Sequence, residues 1–195
     1  MLKKPTNILI IGVGGQGTLL ASKIIADVAI ALGYDVKVSE IHGMAQRGGS
    51  VVSQVRYGEN VYSPIISKGE ADFILAFEKL EAARWLDYLK PEGLIIINDE
   101  RVDPLPVLSG AVEYPENIIN QIKEIAANTI VVNAGDIARK AGNIKTANVV
   151  LVGVLSQAIK LPEAEMIDAI KKSVPAKALE HNLQAFKAGT QLYME

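Results

Sequence analysis

The chain has no cysteine. That removes disulfides, thiolate nucleophiles, cysteine-held iron–sulfur clusters and cysteine zinc sites from what this polypeptide can do alone, so any redox centre coupled to it must come from elsewhere. Histidine is almost as scarce, with only His42 and His181, and without thiolates no metal site is expected. Charge of one sign is also missing. The 20 basic residues stand against 22 acidic ones, so no basic field points to nucleic acid and no polybasic run to a membrane surface, and neither is an expected partner. There is no long apolar run either. The opening MLKKPTNILIIGVGG meets glycines too early for a signal peptide and is far too short to span a bilayer, so the expected location is cytoplasmic.

What is present reads as one domain, residues 1–195, large enough to bury a core without staples. A hydrophobic fraction of 49% with no membrane-spanning run is more than a lone soluble domain usually needs, which points to surface covered by another subunit. Asn7 to Val13 is a short apolar run ending in glycines, the pattern of a strand buried on both faces of a parallel sheet. Leu20, Ile24, Val28 and Leu32 then keep a helical period, with Gly33 at the C-cap. Asp35 to Ser39 alternates as a second strand. Val51 to Tyr57 and Val61 to Ile66, joined by Gly58, Glu59 and Asn60, read as an antiparallel hairpin. Phe73 to Phe77, a helix from Glu78 to Leu89, and Leu94 to Asn98 resume the alternation. Asp99 to Gly110 reads as a loop, with a short strand near Ala111 to Tyr114. Pro115 opens a helix, Thr129 to Asn133 is a strand, and Ile137 to Ala141 is a helical turn. Thr146 caps an all-apolar helix to Lys160; helices from Pro162 to Ser173 and Ala176 to Tyr193 follow. The expected fold class is α/β: a three-layer sandwich with a mostly parallel, Rossmann-like sheet, one antiparallel hairpin and a helical C-terminus.

Two stretches break the apolar pattern with polar groups and glycine. Gly12, Gly14 and Gly17 form a G-x-G-x-x-G after a strand and before a helix, where helix N–H groups point at an anion; the other reading is helix–strand packing alone. Glu40, at the end of the second strand, stands where a dinucleotide site wants an acid, so a free-standing NAD(P)- or FAD-binding oxidoreductase is one reading. Against it, the chain after Glu40 enters not a crossover helix but a glycine-rich polar loop with His42, Gln46, Arg47, Gly48 and Gly49. Arg47 offers a fixed charge and a fork for carboxylate or phosphate, or else braces the loop backbone. His42 makes a polar contact in an interface pocket or packs the loop, and is not assigned as a catalytic base. Gly48 and Gly49 admit close approach of a ligand or another chain, or simply positive φ. No residue is assigned a catalytic role.

The G-x-G-G-Q-G of Gly12 to Gly17, followed by the H-G-M-A-Q-R-G-G-S of His42 to Ser50, resembles the gamma-type domain of the 2-oxoacid:ferredoxin oxidoreductases, and the M-A-Q-R-G-G form resembles the indolepyruvate type's beta subunits. The ADFILAFE of Ala71 to Glu78, the LIIIN ending at Asn98 and the N-x-x-x-x-G of Asn148 to Gly153 extend the similarity over most of the chain. Gly14, Gly15, Gln16, Gly17, Gln46, Arg47, Gly48 and Gly49 match the motif. The resemblance implies a subunit in CoA-dependent oxidative decarboxylation of an aryl 2-oxoacid such as indolepyruvate, with electrons passed to ferredoxin. It places thiamine diphosphate, magnesium and the iron–sulfur clusters on a larger alpha subunit, and makes CoA a possible contact of this chain. The sequence agrees to the extent that it lacks both cysteine and a G-D-G followed by an N-N pair. A cofactor-free small subunit is therefore expected, its Glu40 to Arg56 stretch facing a partner's cofactor or CoA.

Overall fold

Ile8 and Ile10 on one side of the first strand and Leu9 and Ile11 on the other are wholly buried, because helices cover both faces of the sheet to which that strand is central. The computed structural model describes residues 4–42 and 48–193. Among them are β1 (Thr6–Val13), β2 (Asp35–His42), β3 (Ser50–Gly58), β4 (Ala71–Ala76), β5 (Leu89–Asn98) and β6 (Thr129–Val132). They form one sheet in the order β2-β3-β1-β4-β5-β6. β1, β4, β5 and β6 run parallel, while β3 is antiparallel to both of its neighbours, β2 and β1.

One face is covered by α1 (Thr18–Ala31), the short α5 (Ala134–Lys140), α6 (Ala147–Ala158), α7 (Glu163–Ser173) and α8 (Leu179–Leu192). The other carries α2 (Lys79–Arg84) and α4 (Ile118–Ile125), with a single turn, α3 (Leu105–Leu108), at its margin. This is the three-layer α/β arrangement read from the sequence. Gly33 ends α1 as expected, with φ +83°; its N–H donates to the Ile30 carbonyl at 2.9 Å and that of Tyr34 to the Ala29 carbonyl at 3.1 Å. α6 is apolar all round because it lies between the sheet and α8, and Val149 to Leu155 are buried without interruption.

The antiparallel strand lies where expected, but its partners differ from the expectation. β3 pairs with β2, to which residues 43–49 connect it, and with β1, not with Val61 to Ile66. The latter segment is a strap whose backbone is held by side chains. Asp35 accepts from the Val61 N–H at 2.8 Å, Gln54 accepts from the Ile66 N–H at 2.7 Å, and Arg56 donates to the carbonyls of Ser63 and Ile65 at 2.9 and 2.8 Å. Val61 and Ile66 are its two buried anchors.

Other boundaries also shift. Ala111 to Tyr114 is not a strand; Tyr114 instead turns inward to a buried carboxylate. The helix expected from Pro115 begins at Ile118, after Asn117 takes a left-handed conformation with φ 56°. The helix expected over Glu78 to Leu89 is α2 followed by a tight turn at Leu86–Tyr88, and Leu89 already belongs to β5. Trp85 is half-buried against Tyr88. Thr146 precedes α6 without capping it, because its hydroxyl donates backward to the Asn143 carbonyl at 2.7 Å.

Candidate functional site

The chain reverses its winding between β1 and β4. After β1 it crosses on the α1 face, and after β4 on the α2 face, which leaves a crevice outside the carboxyl ends of the central strands. A cavity of about 620 Å³ opens there, lined on one side by Gly15 and Gln16 and on the other by the starts of α5 and α6. That volume lies within the range of about 300–1,000 Å³ common to small-molecule sites.

The glycine turn forms one wall. A Cβ on Gly12 would stand 2.8 Å from Gln16 Oε1 and 2.9 Å from Phe77 Cβ, so glycine is needed for Gln16 to fold back over β1. Folded back, Gln16 accepts from the Val13 N–H at 2.7 Å and donates through Nε2 to the Phe77 carbonyl at 3.2 Å, bridging the ends of β1 and β4. Gly14 N–H donates to the Gly49 carbonyl at 2.9 Å, tying the turn to the second glycine-rich stretch. Gly15 is exposed with φ +104° and nothing within 4 Å of the position a Cβ would take. Gly17, with φ +88°, is the N-cap of α1.

The polar loop is anchored at both roots. Glu40 is exposed and accepts from Ser22 Oγ of α1 at 3.2 Å. On the far side Ser50 Oγ donates to Glu81, a carboxylate only 2% exposed in α2. His42 pairs through its backbone with Val51, and Gly48 is exposed with φ +78°. Gln46 and Arg47 lie outside the described residues, and so does the side chain of His42. The structure thus brings Gly12, Gly14, Gly15, Gln16, Gly17 and Gly49 together and sets Glu40 apart. β3 is interposed between β1 and β2, so Glu40 stands two strand spacings, about 9–10 Å, from the strand that carries the glycine turn. A ribose-binding acid belongs on the strand next to that turn. Glu40 therefore does not complete a dinucleotide fingerprint.

The other wall consists of residues that the sequence reading did not single out as a site. Asn98, at the end of β5, donates through Nδ2 to the Phe77 carbonyl at 3.2 Å and to Glu100 at 2.8 Å, and accepts from the Ala134 N–H at 3.0 Å. It joins β4, β5 and α5 in one network. Partial burial pushes the Glu100 carboxyl above its ordinary range, against the hydrogen bonds from Gln16 and Asn98 that pull it down. Asn133 caps α5 by accepting from the Asp136 N–H at 3.1 Å, and Asp136 pairs with Arg139. Lys145 and Asn148 complete the wall. The available signal was positional: Glu78, Asn98 and Asn133 are each the polar residue that ends or follows an apolar run, at the carboxyl end of a parallel strand.

Glu78 is 1% exposed and collects three donors, the N–H groups of Glu81 at 2.9 Å and Val102 at 3.3 Å and the Tyr114 hydroxyl. Burial pushes the Tyr114 hydroxyl well above its ordinary pKa, and its bond to Glu78 adds to the rise. Arg101 lies 4.3 Å from the Tyr114 ring centroid and borders the crevice. Among the described residues no group of three histidine, aspartate or glutamate side chains is placed to hold a metal ion, and with no cysteine the chain has no thiolate for a cluster. These residues do not fit an iron–sulfur cluster or a magnesium-dependent thiamine site within this chain. No described helix is long and apolar enough to cross a membrane.

Residues 7–192 match the family model described as pyruvate ferredoxin/flavodoxin oxidoreductase. The indolepyruvate oxidoreductase subunit IorB of Thermococcus kodakarensis is 41% identical, with 98% of each chain covered. The protein of the same description from Archaeoglobus fulgidus is 41% identical over 94% of this chain and 92% of its own. In fold, the chain resembles a solved 2-oxoglutarate:ferredoxin oxidoreductase from Magnetococcus marinus, with a TM-score of 0.75 at 20% identity. That likeness covers 98% of this chain but 31% of that one, so there the same fold is one part of a longer polypeptide.

Proposed function

The chain belongs to the pyruvate ferredoxin/flavodoxin oxidoreductase family, and from that membership we propose that it is the small subunit of an indolepyruvate-type ferredoxin oxidoreductase. The observation that carries this reading is end-to-end identity of 41% with a relative named as an indolepyruvate oxidoreductase subunit. The reaction is oxidative decarboxylation. An aryl 2-oxoacid loses CO₂, its acyl carbon is oxidised by two electrons that pass to ferredoxin, and the acyl group is captured by the thiol of CoA with release of a proton. The carbanion chemistry is supplied by thiamine diphosphate on a larger partner subunit, which also holds magnesium and the iron–sulfur clusters.

This chain's part is to shape and position. Gly12 to Gly17 and the roots of the polar loop stand at the carboxyl edge of the sheet, joined by the Gly14–Gly49 hydrogen bond. The stretch between those roots, whose sequence carries Gln46 and Arg47, is the part of the chain we assign to the partner's active-site cleft or to CoA, with Gly48 and Gly49 allowing close approach of the partner. Glu81 and Ser22 hold the two roots. Binding of a nicotinamide or flavin by this chain alone is disfavoured by the displaced position of Glu40.

The test is reconstitution with a cysteine-rich, thiamine-dependent partner. The two chains are expected to co-purify, to turn over indolepyruvate with ferredoxin only when both are present, and to lose turnover by roughly tenfold or more in Arg47→Ala. Failure to associate with such a partner, or micromolar binding of NADH or FAD by this chain alone, would overturn the reading. Unchanged turnover and unchanged CoA dependence in Arg47→Ala would leave the subunit assignment standing and remove Arg47 from it.

A further inference from the structure

The two edges of the sheet are unequally protected. β6 has four residues and is largely half-buried, whereas β2 runs for eight residues without proline, with Val38 and Ile41 standing 41% and 49% exposed on it. The ladder fixes which backbone groups of β2 face outward. The Gly14 N–H donates to the Gly49 carbonyl one step beyond the Val13–Ser50 pair, so the hydrogen-bonded pairs of β1 and β3 are Gly12–Val51, Ile10–Ser53 and Ile8–Val55. On the other side of β1 the Ile11 carbonyl accepts from the Phe77 N–H, as that alternation requires.

Val52, Gln54 and Arg56 therefore turn their backbone groups toward β2, where they meet Ile41, Ser39 and Lys37. The N–H and carbonyl groups of Val36, Val38 and Glu40 point the other way, and none of them has a backbone partner among the described residues. Such a row of alternating donors and acceptors is complementary to another extended strand. Lysine on an edge strand commonly keeps a second strand away, but Lys37 is matched to Asp35 on the same face of its own strand.

We propose that this edge pairs antiparallel with the β2 of a second copy of the chain, across a two-fold axis at Val38, joining the two six-stranded sheets into one. A two-fold axis normal to the sheet keeps like faces together, so the outward-facing residues oppose one another. Val38 meets its own counterpart and Val36 meets Glu40, each opposed pair exchanging two hydrogen bonds. On the other face Lys37 lies opposite Ser39 and Asp35 opposite Ile41, so no like charges are set directly against each other. Ile41 is then diagonal to Lys37, whose methylene stem covers it. β2 and β1 run in the same direction, both being antiparallel to β3, so the axis turns the carboxyl edges of the two copies to opposite ends. Each edge stays open to a larger partner, and the pairing stands whether or not the assembly proposed above is correct.

Sedimentation velocity of the full chain tests it, and a dimer that dissociates on dilution is expected. Val38→Pro removes an outward N–H and leaves the bonds to β3 in place, while Val38→Lys sets two ammonium groups against each other on the axis. Each is expected to weaken dimerisation by roughly tenfold or more, with the far-ultraviolet circular dichroism of the chain unchanged. Val38 is exposed, so Val38→Lys carries the test if Val38→Pro does not fold. Because the chain has no cysteine, a single introduced thiol reports the register: Val38→Cys is expected to crosslink on mild oxidation, and Val36→Cys, removed from the axis, is not. A chain that stays monomeric at every concentration, a dimer that Val38→Lys leaves as tight as wild type, or crosslinking through Val38→Cys no faster than through Val36→Cys would overturn the inference.

Discussion

The two faces of the sheet are held down by different physics. On the α1, α6 and α8 face the contacts are dry and close. Gly153 and Gly189 let α6 and α8 meet backbone to backbone, and a Cβ on Gly189 would stand 2.0 Å from the Val150 carbonyl oxygen. On the α2 and α4 face two carboxylates are buried, Glu78 at 1% and Glu81 at 2% exposure; Glu78, the N-cap of α2, reaches Val102 and Tyr114, and Glu81 within α2 reaches Ser50 at the head of β3. The first face is fixed by steric exclusion where α6 meets α8, and it reaches the polar stretch through Ser22 of α1, which donates to Glu40. The second is fixed by charge-assisted hydrogen bonds that end in the segments around the crevice. Scaffold and site are therefore separable where α6 packs on α8 and coupled where α2 meets the crevice.

The largest effect expected is on the dry face. Gly189→Ala places a methyl group inside the Val150 carbonyl, and α8 has to move as a unit, so a loss of about 3 kcal/mol in stability is expected, read as a lower urea midpoint at unchanged slope. Partner association by the folded fraction should be unchanged. A loss below about 1 kcal/mol would show that α8 can slide, and the comparison would fail on that side. Glu78→Gln comes next. The amide keeps the shape but turns an N–H₂ toward a donor, and about 2 kcal/mol should be lost. Here the stability loss should be accompanied by weaker partner association or turnover, because the loop that begins at Val102 loses its hold.

The difference between the faces also explains what could be read from sequence. Ile8 to Ile11, Ile95 to Ile97 and Val149 to Leu155 declare strands and helix by hydrophobic continuity, and those elements lie where their pattern places them. The strap at Val61 to Ile66 has the same apolar alternation yet is no strand, because Asp35, Gln54 and Arg56 supply its backbone partners. Side-chain-to-backbone bonds across 26, 12 and 7–9 positions leave no mark in local periodicity. The candidate site divides in the same way. The glycine turn was legible because Gly12 and Gly17 are demanded by local geometry. Asn98, Lys145 and Asn148 were not, because the topology of the sheet brings them to the turn from β5 and α6.

Gln16 tests whether the coupling extends to the turn itself. Its amide makes two bonds, to the Val13 N–H and the Phe77 carbonyl, across the line where β1 meets β4. Gln16→Ala should cost about 1.5 kcal/mol, and the crevice should lose definition on its Gly15 side. A lowered urea midpoint with little change in partner association is the expected split. The reverse split would place the turn in the interface rather than at the crevice.

The smallest effect separates hydrogen bonding from packing within the coupled face. Tyr114→Phe keeps the ring under Arg101 and removes only the hydroxyl given to Glu78, so a loss of about 1 kcal/mol at pH 8 is expected. The sign of its pH dependence is fixed. The folded pKa of Tyr114 is raised, first by burial and then by Glu78, so its contribution is complete below the unfolded value of about 10 and is lost as pH rises from there toward the folded value. Wild type and Tyr114→Phe should therefore converge in stability above about pH 10, measured by urea midpoints across the range. Tyr57 is raised in the same direction, but it is present in both proteins and cancels from the difference. A gap that stays constant through pH 11 would mean that the hydroxyl contributes nothing through Glu78, and that Glu78 holds the Val102 segment without it.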